Sequence, residues 1–136
     1  MRIVLGTNVL VSGLLKPDGF PAIVLGLVIN KKIKLLYDNR ILFEYMEVLS
    51  RKKFNFEHRW VKVLINFIQK QGEFIVAVPV PESFKDNDDK KFYEVAKTAK
   101  ADYIVTGNIK DFPKKNIIKT PKEFIKIITN KKTDLS

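Results

Sequence analysis

Short apolar runs alternate with stretches of helical period along this chain. That alternation restricts the fold more than any other feature, because strand–helix–strand units close around a parallel sheet. Apolar runs predict strands over residues 2–6, 33–37, 74–78, 102–106 and 116–118. Between the first two, a short helix after Asn8 and a longer one from Pro21 to Asn30 flank the turn-forming Lys16-Pro17-Asp18-Gly19. Helices over 39–51 and 56–70 follow the second strand, and Gly72 stands where a C-terminal cap would. Thr120-Pro121-Lys122-Glu123 opens the last helix with a capping hydroxyl, a proline at the first helical position and a glutamate three residues after the cap. The fold expected is a three-layer α/β/α sandwich with a central parallel sheet of four or five strands. It forms one domain over residues 1–130, and a polar tail over 131–136 is expected to fray.

Composition narrows the function classes. The 136 residues, 46% of them hydrophobic, suffice to bury about two-thirds of the unfolded surface in one core. No cysteine is present, which removes disulfide frameworks and thiolate zinc clusters and fits a reducing cytoplasm. Met1 leads straight into a strand, so no leader and no membrane span are expected. Lysine and arginine number 25 against 15 acids, a formal net charge of +10, which attracts polyanions and makes RNA the first candidate partner. The excess is lysine in dispersed doublets, which equally describes a solvated surface.

Three stretches place carboxylates where surface solvation does not explain them fully. Gly6 ends the first strand, and an acidic side chain there would face the crevice in which open α/β sheets bind ligands; glycine offers no ligand. Glu44 falls at the edge of the stripe Ile41, Leu42, Tyr45, Val48 and Leu49, so it pairs with a cation, binds a metal or reaches to water. In Asp86-Asn87-Asp88-Asp89, Asp88 is expected to cap the helix whose core face is Phe92, Val95, Ala96 and Ala99. Asp89 then takes its first position, suited to dipole compensation or metal ligation. Finally, Thr106-Gly107-Asn108-Ile109-Lys110-Asp111 turns after the strand Tyr103–Val105 and brings Asn108 and Asp111 to the same sheet edge. His58, the single histidine, precedes an amphipathic helix far from these motifs and is expected at the surface. Glycine-rich nucleotide loops are absent.

In order, the pieces LGTNVLVSGLL, DNRILFEYMEVLSRKKF, KDNDDKKFYEVAKTAKADYIVTGNIKDFP and TPKEF resemble a PIN domain of the kind found as the VapC-like toxin of toxin–antitoxin pairs. The resemblance covers nearly the whole chain. It implies an acidic pocket holding Mg²⁺ or Mn²⁺ for endoribonuclease cleavage. It also implies acidic positions at Gly6, Glu44, Asp89 and the Asn108 to Asp111 turn, with Glu44, Asp89 and Asp111 as metal ligands, Asn108 among the catalytic residues, and Thr7, Asn8 and Thr106 as polar supports. The first position is ordinarily aspartate in that family, so Gly6 marks a vacated ligand and implies weakened or lost cleavage. An antitoxin protein and a homodimer are the further partners implied, with Trp60 and Phe67 candidates for such a surface or for the core. The competing expectation is a non-catalytic module that holds RNA or a partner protein.

Overall fold

The computed structural model describes the backbone of residues 1–135 and the side chains of residues 1–130. The expected fraying tail, 131–136, lies outside the described side chains. Five strands, β1 (Arg2–Leu5), β2 (Lys34–Tyr37), β3 (Glu73–Phe74), β4 (Tyr103–Val105) and β5 (Ile118–Lys119), form one all-parallel sheet in the order β3-β2-β1-β4-β5. The helices are α1 (Thr7–Leu15), α2 (Phe20–Ile29), α3 (Asn39–Leu49), α4 (His58–Gln71), α5 (Asn87–Ala99) and α6 (Pro121–Leu135). Together they build the expected α/β/α sandwich.

Strand β1 sits at the centre, and Ile3, Val4 and Leu5 are fully buried, as a strand covered on both faces requires. From β1 the chain first moves outward on one side, to β2 and β3. It then crosses back by α5 to β4 and β5 on the other side. The direction of winding therefore reverses between β1 and β4, and the carboxyl ends of those two strands border the crevice where open α/β sheets take ligands.

Several boundaries differ from expectation. The strand expected over 74–78 is paired only at Glu73–Phe74. Past Ile75, whose amide still donates to the Tyr37 carbonyl, β2 has ended, and the amides of Val78 and Val80 turn to side chains of α5 instead. The first helix, expected after Asn8, already starts at Thr7, with Gly6 as its N-cap. Gly72 does end α4, yet in extended backbone (φ −80°, ψ 177°) rather than the left-handed region. Its glycine is demanded by contact: a Cβ would stand 2.5 Å from the Ile68 carbonyl oxygen and 2.9 Å from that of Leu35. Asp86, not Asp88, caps α5, its carboxylate accepting from the Asp88 amide at 2.9 Å. Asp89 consequently lies at the third helical position rather than the first. The capping box of α6 forms as read, with the Thr120 amide donating to Glu123 and the Glu123 amide to Thr120.

Among the described residues no single helix is long and apolar enough to cross a membrane; α1 and α2 reach that length only as a pair bent by 100°, and both bury residues in the core.

Candidate functional site

The crevice is built from two strand ends held side by side. The Gly6 amide donates to the Val105 carbonyl at 2.8 Å, which locks the exit of β1 against that of β4. Just beyond, the Gly107 amide donates to Asn8 Oδ1 at 3.3 Å and the Asn108 amide to Thr106 Oγ1 at 3.1 Å. Thr106 is buried. Asn8 and Thr106 are therefore structural supports of the crevice floor.

Gly6 is buried in this floor with φ −63° and ψ 143°, angles open to any residue. Backbone conformation does not require glycine here. The space has nevertheless closed over it: a Cβ would meet Asn8 Oδ1 at 3.0 Å and Thr106 Oγ1 at 3.2 Å. A side chain there requires both the Asn8 carboxamide and the buried Thr106 side chain, whose Cβ would stand 3.3 Å away, to yield by a few tenths of an ångström.

Helix α3 brings Glu44 to the crevice, half-buried. Thr7, at the start of α1, donates its hydroxyl to Glu44 Oε2. On the other oxygen, Oε1, sits the Lys91 ammonium at 2.7 Å. Sequence reasoning missed Lys91. Its own helix offers a weak signal, since its ammonium also donates to the Asp88 carbonyl three residues back at 2.6 Å, but the pairing with Glu44 joins two helices and has no trace along the chain.

Asp89 lies within reach of the Glu44 charge. Burial first, then the negative charges of Asp111, Asp86 and Glu44, push its carboxyl up to about 6, with Lys91 working against them. Asp88 is exposed and Asp89 half-buried, so Asp89 is the member of the acidic run that turns inward. Asp111, half-buried, ends the short 3-10 turn Ile109–Asp111, while Asn108 stays exposed just before it. Thus Glu44, Asp89 and Asp111 share one electrostatic neighbourhood at the switch point of the sheet. His58 opens α4 and is exposed.

These oxygens are the right kind of donor for Mg²⁺ or Mn²⁺. Their arrangement is not. Among the described residues no three His, Cys, Asp or Glu side chains are grouped so as to hold one ion. Glu44 already serves Thr7 and Lys91, and Gly6 supplies no oxygen. The residues as they stand do not fit the ion.

A family model described as PIN domain matches residues 2–110. The chain belongs to the PIN domain family. A Methanocaldococcus jannaschii relative, "Uncharacterized protein MJ1680", is 33% identical over 144 aligned positions, covering 92% of this chain and 90% of the relative. In three dimensions this PIN domain is similar to a chain in the crystal structure of VapBC2 from Rickettsia felis bound to a DNA fragment from their promoter. The TM-score is 0.57 at 20% identity, over 88% of this chain and 97% of that one, a likeness of fold.

Beside the acidic pocket of this PIN domain lies a cleft lined by Asn8, Ser12, Phe20, Gly107, Asn108 and Lys122. A separate apolar groove between α1, α2 and α4 is lined by Leu14, Ile29, Phe56, Trp60, Leu64 and Phe67. Trp60 is 60% exposed, whereas Leu64 and Phe67 pack partly against the core and Ile68 lies within it. Leu14, Ile29 and Val63 are exposed along the same groove.

Proposed function

We propose that this protein is an RNA-directed PIN-domain endoribonuclease, the toxin component of a toxin–antitoxin pair working in the cytoplasm, in which cleavage is weakened or lost through Gly6. What supports this reading is that Asp89 feels the negative charges of Glu44 and Asp111 beside the switch point between β1 and β4, in a chain of net charge +10. Such a surface draws a polyanionic substrate toward carboxylates that would otherwise repel it.

Within this reading the roles divide by chemistry. Glu44, Asp89 and Asp111 are the residues that would hold a divalent cation, and Asn108 is the neutral oxygen beside them. Thr7 fixes the Glu44 carboxylate, and Asn8 and Thr106 hold the two strand exits together. The cleft running past Asn8 and Asn108 to Lys122 gives RNA a path across the pocket. No cleavage step is assigned, because the donor set is not assembled around an ion. The apolar groove at Trp60 suits an antitoxin segment, and the related fold found in a VapBC2 complex supports such a partner.

The test is Gly6→Asp. The position is the N-cap of α1, where aspartate is favoured over glycine by a few tenths of a kcal/mol, so the variant is expected to fold and melt within a few degrees of the parent. It should cleave RNA in Mn²⁺ or Mg²⁺ at least about a hundredfold faster than the parent, the scale of one transition-state contact regained. A folded but inert Gly6→Asp protein would defeat the one-ligand explanation. In that case the Lys91–Glu44 ion pair favours a second reading, a non-catalytic PIN domain that holds RNA without metal.

A further inference from the structure

The acidic pocket contains a cation of its own. Lys91 is only 12% exposed in its side chain, and the Glu44 carboxylate it meets at 2.7 Å is 24% exposed. The other ion pairs of described residues have at least one far more open partner: Arg51 is 47% and Glu47 62% exposed, Arg59 76% and Glu57 62%, and Lys97 55%. An ammonium withdrawn this far from water persists only where opposite charge and hydrogen bonds replace its hydration. Lys91 has both: Glu44 Oε1 on one side and the Asp88 carbonyl at 2.6 Å on the other. Its nitrogen also lies 5.3 Å from the centre of the Phe92 ring, within range of cation–π attraction.

The geometry points to Lys91 as the resident counter-cation of this pocket: its ammonium neutralises Glu44 in place of a divalent ion, and Mg²⁺ or Mn²⁺ gains Glu44 only by displacing it. The inference rests on the reading of the pocket as a cation site and adds its regulation. Two features of this chain act in the same direction. Gly6 removes one negative oxygen, and Lys91 cancels another, so the attraction left for a doubly charged ion comes chiefly from Asp89 and Asp111. Thr7, which holds the second Glu44 oxygen, keeps the carboxylate turned toward the lysine.

The experiment is a Mn²⁺ titration of the full chain, read by the electron paramagnetic resonance signal of the free ion, with parent, Lys91→Met and Lys91→Arg. Methionine keeps the stem that packs by Phe92 and removes the charge. Lys91→Met is expected to bind Mn²⁺ about tenfold or more tightly than the parent, the equivalent of one charge-assisted hydrogen bond no longer broken. Lys91→Arg stays as weak as the parent, and adding Glu44→Gln to Lys91→Met abolishes the gain. Unchanged affinity in Lys91→Met, or an equal gain in Lys91→Arg, overturns the proposal. Should Lys91→Met not fold, the lysine ammonium resonances of the parent decide: saturable displacement of the Lys91 signal by Mg²⁺ supports the proposal, and a signal indifferent to Mg²⁺ overturns it. A gain of Mn²⁺ affinity without RNA cleavage, even in Gly6→Asp, removes the nuclease reading and leaves Lys91 standing. Mn²⁺-dependent cleavage with no effect of Lys91 on ion affinity does the reverse.

Discussion

Tyr45 joins the end of β1 to α3 through one hydrogen bond, and the candidate site depends on it. Its ring is fully buried, and its hydroxyl donates to the Leu5 carbonyl at 2.5 Å, one residue before Gly6. Burial, with the nearby charges of Glu44 and Asp38, holds the phenol well above its ordinary range, so it remains a donor at every working pH. In Tyr45→Phe the ring still fills its space, but the Leu5 carbonyl loses its partner where water does not reach. The expected cost is about 1–2 kcal/mol, measured as a lower midpoint in urea with an unchanged slope. Sequence pattern assigned Tyr45 correctly to the buried stripe of α3. Periodicity carries no information on where a hydroxyl ends, so its second role was not legible.

At the scale of elements, a charge network of two buried carboxylates and the exposed Arg40 holds α3, α5 and the segment after β3 together. Arg40 reaches Asp38 Oδ2 at 2.7 Å and Glu94 Oε1 at 2.8 Å, and the other Glu94 oxygen accepts the Val80 amide at 3.0 Å. Burial alone would raise the Glu94 carboxyl, but the Arg40 guanidinium and the Val80 amide outweigh it and hold Glu94 below the usual range. A carboxylate depressed in the folded state stabilises the protein above its unfolded value, 4.5, and that contribution disappears as pH falls through the folded value. Stability should therefore decline as pH drops below 4.5. Glu94→Gln should be less stable at pH 7 and lose stability less steeply in acid, as thermal melts across the pH range would reveal. Nothing in the sequence distinguished Glu94 from a solvated glutamate, since its partners lie 54 and 14 positions away. The same limit explains the shortened β3: an apolar run reports burial, and the number of paired residues depends on how far the neighbouring strand extends.

For the whole molecule, the net charge of +10 is the property with the largest reach. If RNA is the partner, its affinity should fall steeply with salt, with log K linear in log salt and a slope of about −0.7 per phosphate neutralised on a single strand. Filter binding between 50 and 200 mM salt, about the range over which such contacts are screened, measures it. A flat response would place the basic excess with solubility rather than recognition. On this reading the parent chain should show this dependence without added Mg²⁺ or Mn²⁺, because dispersed lysines and not a metal would make the phosphate contacts.

By itself the sequence determined the alternation of strands and helices, the parallel sheet, the capping box of α6 and the three acidic stretches, because periodicity, caps and turn residues act over a few neighbouring positions. It also showed glycine and not a carboxylate at the end of β1, a matter of residue identity. Tertiary structure alone decided that Asp89 and not Asp88 turns inward, that Gly72 is required by the closeness of two carbonyl oxygens, and that Lys91 meets Glu44. Each of these rests at least in part on atoms brought together across dozens of positions, where electrostatics and packing depend on distance in space and not on separation along the chain.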